Sequence, residues 1–328
     1  MPVSDKIRRQ LAGIPNVTVC EGPPLSQYTR FGIGGPADLY LETASEVSFA
    51  QAFEVARASG SAYTVIGDGT NLIVSDTGFA GIVLRFTGAA IEVDGTIVRS
   101  AAGAELQDLV DRCVAGGLRG LETMTGIPGS VGAAVYGNAG AYGHSIQERV
   151  RQVRFLNNGK ICVFQNADCE FRYRESIFKR HKDWVVVSAE LSMDGAPAED
   201  LRKIADDIFK IRLEKYPSDM KCAGSIFKNL LVAELPDTVR RQIPERVVRE
   251  GKVASAYFLE QVGAKGMQNG GIRVADYHAN LIYNTGRGTA RELCQVIQEL
   301  KGRVEGTFGI TLEEEVQYVG FSGAGCSS

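Results

Sequence analysis

Sequence motifs typical of metal-binding sites are scarce in this chain. Its three histidines do not form a metal-binding pattern with neighbouring ligand types. Its seven cysteines are scattered and form no Cys-x-x-Cys pair, which argues against a zinc site or a redox dithiol. Most of these thiols are expected to be small buried hydrophobic groups. We therefore do not expect a metalloenzyme.

Long apolar runs and a strong excess of one charge are also absent. No apolar run approaches the roughly 20 residues of a membrane span, and the polar N-terminus shows no signal-peptide core. The 36 basic and 39 acidic residues give a net charge of −3, which provides no general attraction to nucleic acid or to an acidic membrane. The expectation is a cytoplasmic protein, with a monomer favoured, that binds neither nucleic acid nor membrane.

A chain of 328 residues is too long for one ordinary core, so two or three domains are expected. The hydrophobic pattern predicts an α/β organisation. Between residues 232 and 252 the chain is polar and charged, and is predicted to be an insertion of helix and loop. Asn157-Asn158-Gly159 is typical of a tight hairpin. The predicted strands are 37–41, 63–66, 72–74, 81–86, 96–101, 150–155, 160–164, 184–191, 280–283 and 310–319, and the predicted helices are 45–59, 104–115, 197–216 and 288–304.

Glycine is concentrated in residues 126–143, which contain six glycines. Glycine loses the most backbone freedom on folding, but it allows positive φ and close approach of backbone amides to another group. An anionic diphosphate is one candidate for that group, and a run of tight turns is the alternative.

A second glycine segment, residues 65–72, leads from a strand through Gly67, Asp68, Gly69, Thr70 and Asn71 directly into another apolar stretch. No helix follows it, so the dinucleotide fingerprint of the Rossmann fold does not apply, and neither glycine segment contains a P-loop lysine. Two such loops in two lobes suggest that one long ligand, such as FAD, is held by both.

Residues 171–179 alternate aromatic and basic side chains, which predicts a strand with one set of side chains on each face. Arg174 in this segment could bind a carboxylate or phosphate in bidentate fashion. A solvent-facing strand edge with stacked arginines is the alternative.

Ser225 and three consecutive glutamates are the other candidates for chemistry. Ser225 lacks the Gly-x-Ser-x-Gly elbow and a nearby histidine, so it is a proton donor candidate rather than a hydrolase nucleophile, unless it is an ordinary turn serine. In a strand, Glu313 and Glu315 would share one face and Glu314 would take the other, with a solvated strand edge as the alternative.

In their order along the chain, these segments resemble the UDP-N-acetylenolpyruvoylglucosamine reductase family. The resemblance covers residues 26–320. Extra sequence at 232–252 and Leu230 in place of the family's usual proline are departures from its pattern. The matching segments are 29–38, 67–72, 126–143, 173–176, 223–229, 263–266, 278–280 and 312–316.

The resemblance implies an α+β fold in which a two-lobed FAD-binding domain, of the type found in vanillyl-alcohol oxidase, precedes an α+β substrate-binding domain. It predicts an N-terminal extension at 1–25, the FAD-binding domain at 26–195 with lobes at about 26–88 and 89–195, the substrate-binding domain at 198–320 and a disordered tail at 321–328.

The family's reaction, which serves peptidoglycan synthesis, implies a role for each candidate. NADPH reduces non-covalent FAD, and the reduced flavin delivers hydride to the enolpyruvyl group of the nucleotide sugar. Arg174 and Glu315 would stabilise the resulting enolate, and Ser225 would protonate it. Substrate contacts are expected from Tyr173, Lys215, Asn229 and Asn280. FAD contacts are expected from Gly67, Asp68, Gly69, Thr70, Asn71, Gly126, Ile127, Pro128, Gly129, Ser130, Ala133 and Gly140.

Two other functions are compatible with parts of this pattern. One is a flavin-dependent sugar or alcohol oxidase on the same fold. An oxidase would need a base near the alcohol of its substrate. The combination of Arg174, Ser225 and Glu315 instead suits the stabilisation of an enolate, which argues against an oxidase. The other is a nucleotide-binding protein without catalysis, which would be colourless when purified.

Overall fold

The structure, a computed structural model, describes residues 3–321 and residue 326. The predicted tail at 321–328 therefore lies outside the described residues except for Phe321 and Cys326. The α-helices are α1 (Asp5–Ala12), α2 (Glu46–Ala58), α3 (Leu106–Ala115), α4 (Val131–Tyr136), α5 (Ile177–Arg180), α6 (Ala198–Lys215), α7 (Asp237–Arg240), α8 (Ser255–Gln261) and α9 (Ala290–Phe308).

The strands range from 2 to 8 residues in length. They are β1 (Thr18–Glu21), β2 (Ala37–Thr43), β3 (Tyr63–Ile66), β4 (Leu72–Val74), β5 (Phe79–Phe86), β6 (Ile91–Asp94), β7 (Ile97–Ala101), β8 (Leu118–Arg119), β9 (Gly140–Ala141), β10 (His144–Ser145), β11 (Val150–Asn157), β12 (Lys160–Gln165), β13 (Val185–Ser192), β14 (Asp194–Gly195), β15 (Lys221–Ser225), β16 (Leu230–Leu231), β17 (Val248–Arg249), β18 (Lys252–Val253), β19 (Gln268–Asn269), β20 (Ile272–Val274), β21 (Leu281–Asn284) and β22 (Gln317–Val319).

The chain divides into two compact units that are not contiguous in sequence. Unit 1 contains the residues up to Pro23, Ala37–Asp68 and Ala80–Pro217, and unit 2 contains Pro24–Pro36, Gly69–Phe79 and the residues from Ser218 onward. The predicted domains were contiguous stretches. In the structure, residues 69–79 belong to unit 2 and helix α6 belongs to unit 1.

Unit 1 contains two main sheets that pack against helices. One has the strand order β1-β2-β5-β3, and the other has the order β12-β11-β13-β7-β6. Strands β11 and β12 form the predicted hairpin, in which Asn158 and Gly159 have φ of 48° and 72°. Positive φ at both turn residues is what a type I′ turn requires. Phe49, Phe53 and Phe155 are among the fully buried side chains of unit 1.

Unit 2 is organised around the sheet β15-β21-β20-β19 and the long helix α9. Thr289 and Glu292 form a capping box at the start of α9, and the carboxylate of Asp76 accepts the N–H groups of Ala290 and Arg291 at 2.8 and 2.9 Å. The predicted insertion forms short helical turns and a small sheet, β16-β18-β17. Strand β22 runs parallel to β4.

Two predicted strands are wrong. Residues 171–179 form a tight turn followed by α5, and residues 310–319 form a strand only at β22, with a single bridge between Phe227 and Glu314 before it. The glycine-rich residues 126–143 contain a short helix, α4, as well as turns. In the two wrongly predicted strands, period-two alternation was outweighed by hydrogen bonds to distant residues, described below for Arg174 and Glu315.

The expectation of scattered, buried cysteines holds for part of the set. Cys113, Cys169 and Cys222 are buried, and burial raises the pKa of the Cys113 thiol to about 12. Cys294 and Cys326, however, form a disulfide across 32 positions of sequence. Spacing alone does not reveal such a pairing.

Candidate active site

The two glycine segments meet within unit 1 at Gly67 and Ser130. A Cβ atom on Gly67 would lie 2.9 Å from Oγ of Ser130 and 3.6 Å from Cβ of Ala133. Side chains other than hydrogen therefore do not fit at Gly67 unless Ser130 moves. The close approach leaves a stretch of bare backbone where the sequence predicted contact with a diphosphate.

Ser130 also starts helix α4. Its Oγ accepts the N–H of Ala133 at 3.3 Å, which caps the helix. Gly126 and Gly129 precede it with φ of 75° and 115°, values that glycine adopts most readily. The predicted FAD contacts in this part of the chain are Gly126, Ile127, Pro128 and Gly129 before α4, Ser130 and Ala133 at its start, and Gly140 in β9.

Asp68, another predicted FAD contact, is paired inside unit 1. Nη2 of Arg85 lies 2.5 Å from Oδ1 of Asp68, and both side chains are more than two-thirds buried. The carboxylate charge is thus balanced by a fixed cation. An isolated carboxylate close to an anionic diphosphate would be unfavourable, whereas a paired one is much less so.

Gly69 and Asn71 lie in unit 2. Gly69 has φ of 65°, and a Cβ atom there would lie 1.8 Å from the backbone oxygen of Tyr28, so only glycine fits. Nδ2 of Asn71 donates to the backbone oxygen of Glu315 at 3.0 Å, and the N–H of Gln317 donates to the backbone oxygen of Asn71 at 2.9 Å. The loop of Thr70 and Asn71 is therefore fixed against the segment that carries Glu315.

Arg174 lies in a strained turn of unit 1. Arg172 and Glu175 exchange two backbone hydrogen bonds of 3.0 Å, and Arg174 between them has φ of 56°. A non-glycine residue in this region costs about 1–2 kcal/mol, and such strain is concentrated at functional sites. Nζ of Lys179 donates to the backbone oxygen of Arg174 and to Oε1 of Glu175, both at 2.9 Å.

Asn138, from the glycine-rich segment, supports the same turn. Its side chain is buried, and Nδ2 donates to the backbone oxygen of Arg172 at 2.7 Å. Sequence reasoning missed both Asn138 and Lys179 as residues that hold Arg174. The only available signal was their presence in the two motifs themselves.

The predicted substrate-binding residues of unit 1 carry cation–aromatic contacts. The guanidinium carbon of Arg174 lies 5.5 Å from the ring centre of Tyr173, and Nζ of Lys215, at the end of α6, lies 5.1 Å from the ring centre of Tyr216. Such contacts hold a cation near an aromatic face and restrict its motion.

Ser225 and Glu315 lie on neighbouring backbone segments of unit 2. Ser225 ends strand β15 opposite Leu281, and the carbonyl of Ile226 accepts the N–H of Glu315 at 2.7 Å. The structure thus brings these two candidates onto hydrogen-bonded segments. Ser225 is half-buried and follows Gly224, which has φ of 77°.

The other two glutamates of the acidic triplet form ion pairs. Oε1 of Glu313 lies 2.5 Å from Nζ of Lys228, and Oε1 of Glu314 lies 2.9 Å from Nζ of Lys301. The expected sharing of one strand face by Glu313 and Glu315 does not apply, because this segment is not a regular strand. These pairs balance two of the three negative charges in the triplet.

Asn280, expected at the substrate, is buried, with a side chain that hydrogen-bonds to Phe227 and Ser255. Asn229 is exposed at the end of the segment that begins with Ser225.

Among residues 3–321 and 326, no group of three metal-ligating side chains is found. None of the helices in these residues is long and apolar enough to cross a membrane.

Comparison with known proteins gives two family matches. A family model described as FAD binding domain matches residues 37–164, and one described as UDP-N-acetylenolpyruvoylglucosamine reductase, C-terminal domain, matches residues 216–319. These matches confirm the predicted α+β fold class, with an FAD-binding domain ahead of a family-specific C-terminal domain.

Individual relatives cover nearly the whole chain. A UDP-N-acetylenolpyruvoylglucosamine reductase of Solibacter usitatus is 64% identical over 95% of this chain and 100% of its own length. Its namesake from Syntrophus aciditrophicus is 33% identical over 97% of each chain. The crystal structure of the reductase of that name from Thermus caldophilus matches with a TM-score of 0.72 at 25% identity, over 92% of this chain and 98% of that one.

Proposed function

The chain belongs to the UDP-N-acetylenolpyruvoylglucosamine reductase family of oxidoreductases, and from this premise we propose that it reduces the enolpyruvyl ether of UDP-N-acetylglucosamine to UDP-N-acetylmuramate. NADPH is the proposed electron donor and FAD the proposed cofactor. The product is a precursor of peptidoglycan, so the reaction would serve cell-wall synthesis, cell shape and division. Because UDP-activated sugars and NADPH are cytoplasmic metabolites, the cytoplasm is the proposed location.

The meeting of Gly67 with Ser130 supports a dinucleotide site. The residues proposed to hold FAD are those of the two glycine segments, since a Cβ atom at Gly67 would fill the space beside Ser130. When bound, FAD would supply the hydride carrier between NADPH and the enolpyruvyl group of the nucleotide sugar. Non-covalent binding is proposed, because neither glycine segment contains a histidine. His144 lies just after residues 126–143, and its Nδ1 is hydrogen-bonded to Glu148 at 2.8 Å.

The hydrogen bond between Ile226 and Glu315 is the observation that carries the proposed chemistry, because it places a hydroxyl donor and a carboxyl group on adjacent segments. Ser225 would protonate the enolate carbon. Glu315, when protonated, would donate a hydrogen bond to the enolate rather than repel it. Arg174 would pair with the substrate carboxylate, a role that the planar guanidinium fits well.

Binding of the nucleotide sugar is assigned to Tyr173, Lys215 and Asn229. Lys215 supplies a positive charge for the diphosphate, and Tyr173 and Asn229 supply hydrogen-bonding groups. Two lysines, Lys215 in unit 1 and Lys221 in unit 2, suit a doubly charged nucleotide sugar.

The test is NADPH absorbance over time with and without the enolpyruvyl nucleotide sugar. We expect loss of NADPH that depends on the sugar. Ser225→Ala should leave flavin reduction by NADPH intact and slow the sugar-dependent step, while Ser218→Ala, a change at an exposed serine of the same unit, should alter neither step. A yellow protein that shows no sugar-dependent loss of NADPH would contradict the proposal and point to another flavin reaction.

A further inference from the structure

We propose that Asn280 is a positioning residue for both Ser225 and Glu315, and that it acts through the backbone of residues 226–227 rather than by touching the sugar. The inference rests on the proposed function, in which Ser225 and Glu315 carry out the chemistry. It revises the role that the family resemblance implied for Asn280.

The side chain of Asn280 is committed to the interior of unit 2. It is 2% exposed, and its Oδ1 accepts the N–H of Phe227 at 2.9 Å. Its Nδ2 donates to the carbonyl of Phe227 at 2.8 Å and to Oγ of Ser255 at 2.7 Å. An asparagine amide has two N–H donors, so both are used inside the protein and neither can be offered to a sugar.

Ser255 completes a closed set of contacts around Phe227. It is fully buried, and its Oγ donates to the carbonyl of Phe227 at 3.2 Å. Both backbone groups of Phe227 are therefore held by side chains. A buried backbone group that loses its partner is costly, so this arrangement strongly favours one position of the segment.

The main chain of Asn280 also fixes the backbone next to Ser225. Its carbonyl accepts the N–H of Ile226 at 3.2 Å, immediately after Ser225 pairs with Leu281. On the other side of Ser225 the ladder between β15 and β21 shifts register, and Gly224 has positive φ. The regular ladder therefore ends near Ser225, and Asn280 fixes the three backbone groups that follow.

Glu315 depends on the same segment. Its N–H donates to the carbonyl of Ile226 at 2.7 Å, and the N–H of Lys228 donates to the carbonyl of Glu313 at 2.9 Å. A shift of residues 226–227 would therefore move the proton donor and the enolate-stabilising carboxyl together. One buried amide sets the position of both groups.

The experiment separates the two half-reactions in Asn280→Leu and in a matched control, Asn284→Leu. Asn284 ends strand β21, which begins directly after Asn280, and is 5% exposed, but its side chain bonds to Phe31, Gly286 and Gly288 instead. A misplacement of about 1 Å can cost about 100-fold in rate, so Asn280→Leu should slow reoxidation of the flavin by the enolpyruvyl nucleotide sugar by up to about 100-fold. Reduction of the flavin by NADPH should be unchanged in Asn280→Leu. Asn284→Leu should leave the ratio of the flavin reoxidation rate to the flavin reduction rate at the wild-type value.

Asn280→Asp adds a pH signature that a purely structural role would not give. A protonated aspartate keeps an acceptor oxygen and one of the two donors of the amide, whereas the ionised form has no donor and cannot donate to the carbonyl of Phe227. Burial raises a carboxyl pKa, so the reoxidation rate of Asn280→Asp should increase as the pH falls through that pKa. Equal rates for Asn280→Asp and Asn280→Leu at every pH would overturn the proposal.

Two further outcomes decide the matter. An unchanged kcat with a raised KM in Asn280→Leu would mean that the amide contacts the sugar, and would also overturn the proposal. Hydrogen exchange of the Phe227 and Glu315 amides provides a readout without substrate. Faster exchange at both in Asn280→Leu, but not in Asn284→Leu, supports the positioning role even if the wild-type protein proves inactive on the sugar. Unchanged exchange contradicts it.

Discussion

Replacing Lys179 by methionine should release the turn that holds Arg174. Lys179 has a side chain only 13% exposed, and its ammonium binds the carbonyl of Arg174 and the carboxylate of Glu175, both at 2.9 Å. Methionine has similar length and fills the same space without donating. The change therefore removes the two bonds and little of the packing.

The size of the effect follows from the competing terms in the turn. The positive φ of Arg174 disfavours the turn by about 1–2 kcal/mol. Each hydrogen bond from the ammonium contributes about 1.5–3 kcal/mol because it involves a charged group. Two such bonds outweigh the backbone strain, and their loss leaves only the Arg172–Glu175 backbone bonds and the Asn138 bond among those described above to oppose it. A loss of about 1.4 kcal/mol or more corresponds to at least a tenfold drop in kcat/KM for the sugar.

The assay is the steady-state rate of sugar-dependent NADPH oxidation, with thermal unfolding measured in parallel. Lys182→Met, at an exposed lysine three positions further on, serves as the control. Lys179→Arg keeps the charge and should recover part of the activity. A Lys179→Met protein with wild-type kcat/KM would refute the reasoning, because it would mean that the turn is stable without the ammonium.

Three other changes test separate parts of the structure. Gly67→Ala should weaken FAD binding, measured by flavin fluorescence titration, because its Cβ would displace Oγ of Ser130 and disturb a helix cap worth about 1 kcal/mol; normal affinity would contradict this. Gly302→Ala, in the interior of α9 with open space around it, should stabilise the protein to urea by about 1 kcal/mol; a lower midpoint would contradict this. Iodoacetamide at pH 8 should alkylate Cys162 and spare Cys113, whose burial raises its thiol pKa to about 12; labelling of native Cys113 would contradict this.

Features set by neighbouring residues were predictable from the sequence. The hairpin at Asn158-Gly159 depends only on two residues that accept positive φ, and it forms as predicted. The core-facing stripe of α9 follows from its helical spacing, and the predicted helix at 288–304 corresponds to Ala290–Phe308. The hairpin turn and the apolar stripe of α9 both depend on residues that are close together in the sequence.

Features set by distant residues were not predictable. The turn at Arg174 is held by Asn138, whose side chain bonds to Arg172 at a sequence separation of 34. The local sequence does not reveal this contact, and the alternating side chains of residues 171–179 therefore suggested a strand. Glu313 pairs with Lys228 across 85 positions, which no local pattern reveals. The candidate residues came from the family's motifs, while the hydrogen bonds that hold them, such as those of Asn280, appeared only in three dimensions.

The most direct test of the proposed reductase is a single electron-transfer step. Protein loaded with FAD is photoreduced without oxygen and mixed with the enolpyruvyl nucleotide sugar in the absence of NADPH. The proposal predicts that the oxidised flavin absorbance returns and that one UDP-N-acetylmuramate forms for each flavin reoxidised. A flavin that stays reduced while the sugar is bound would contradict the proposed function.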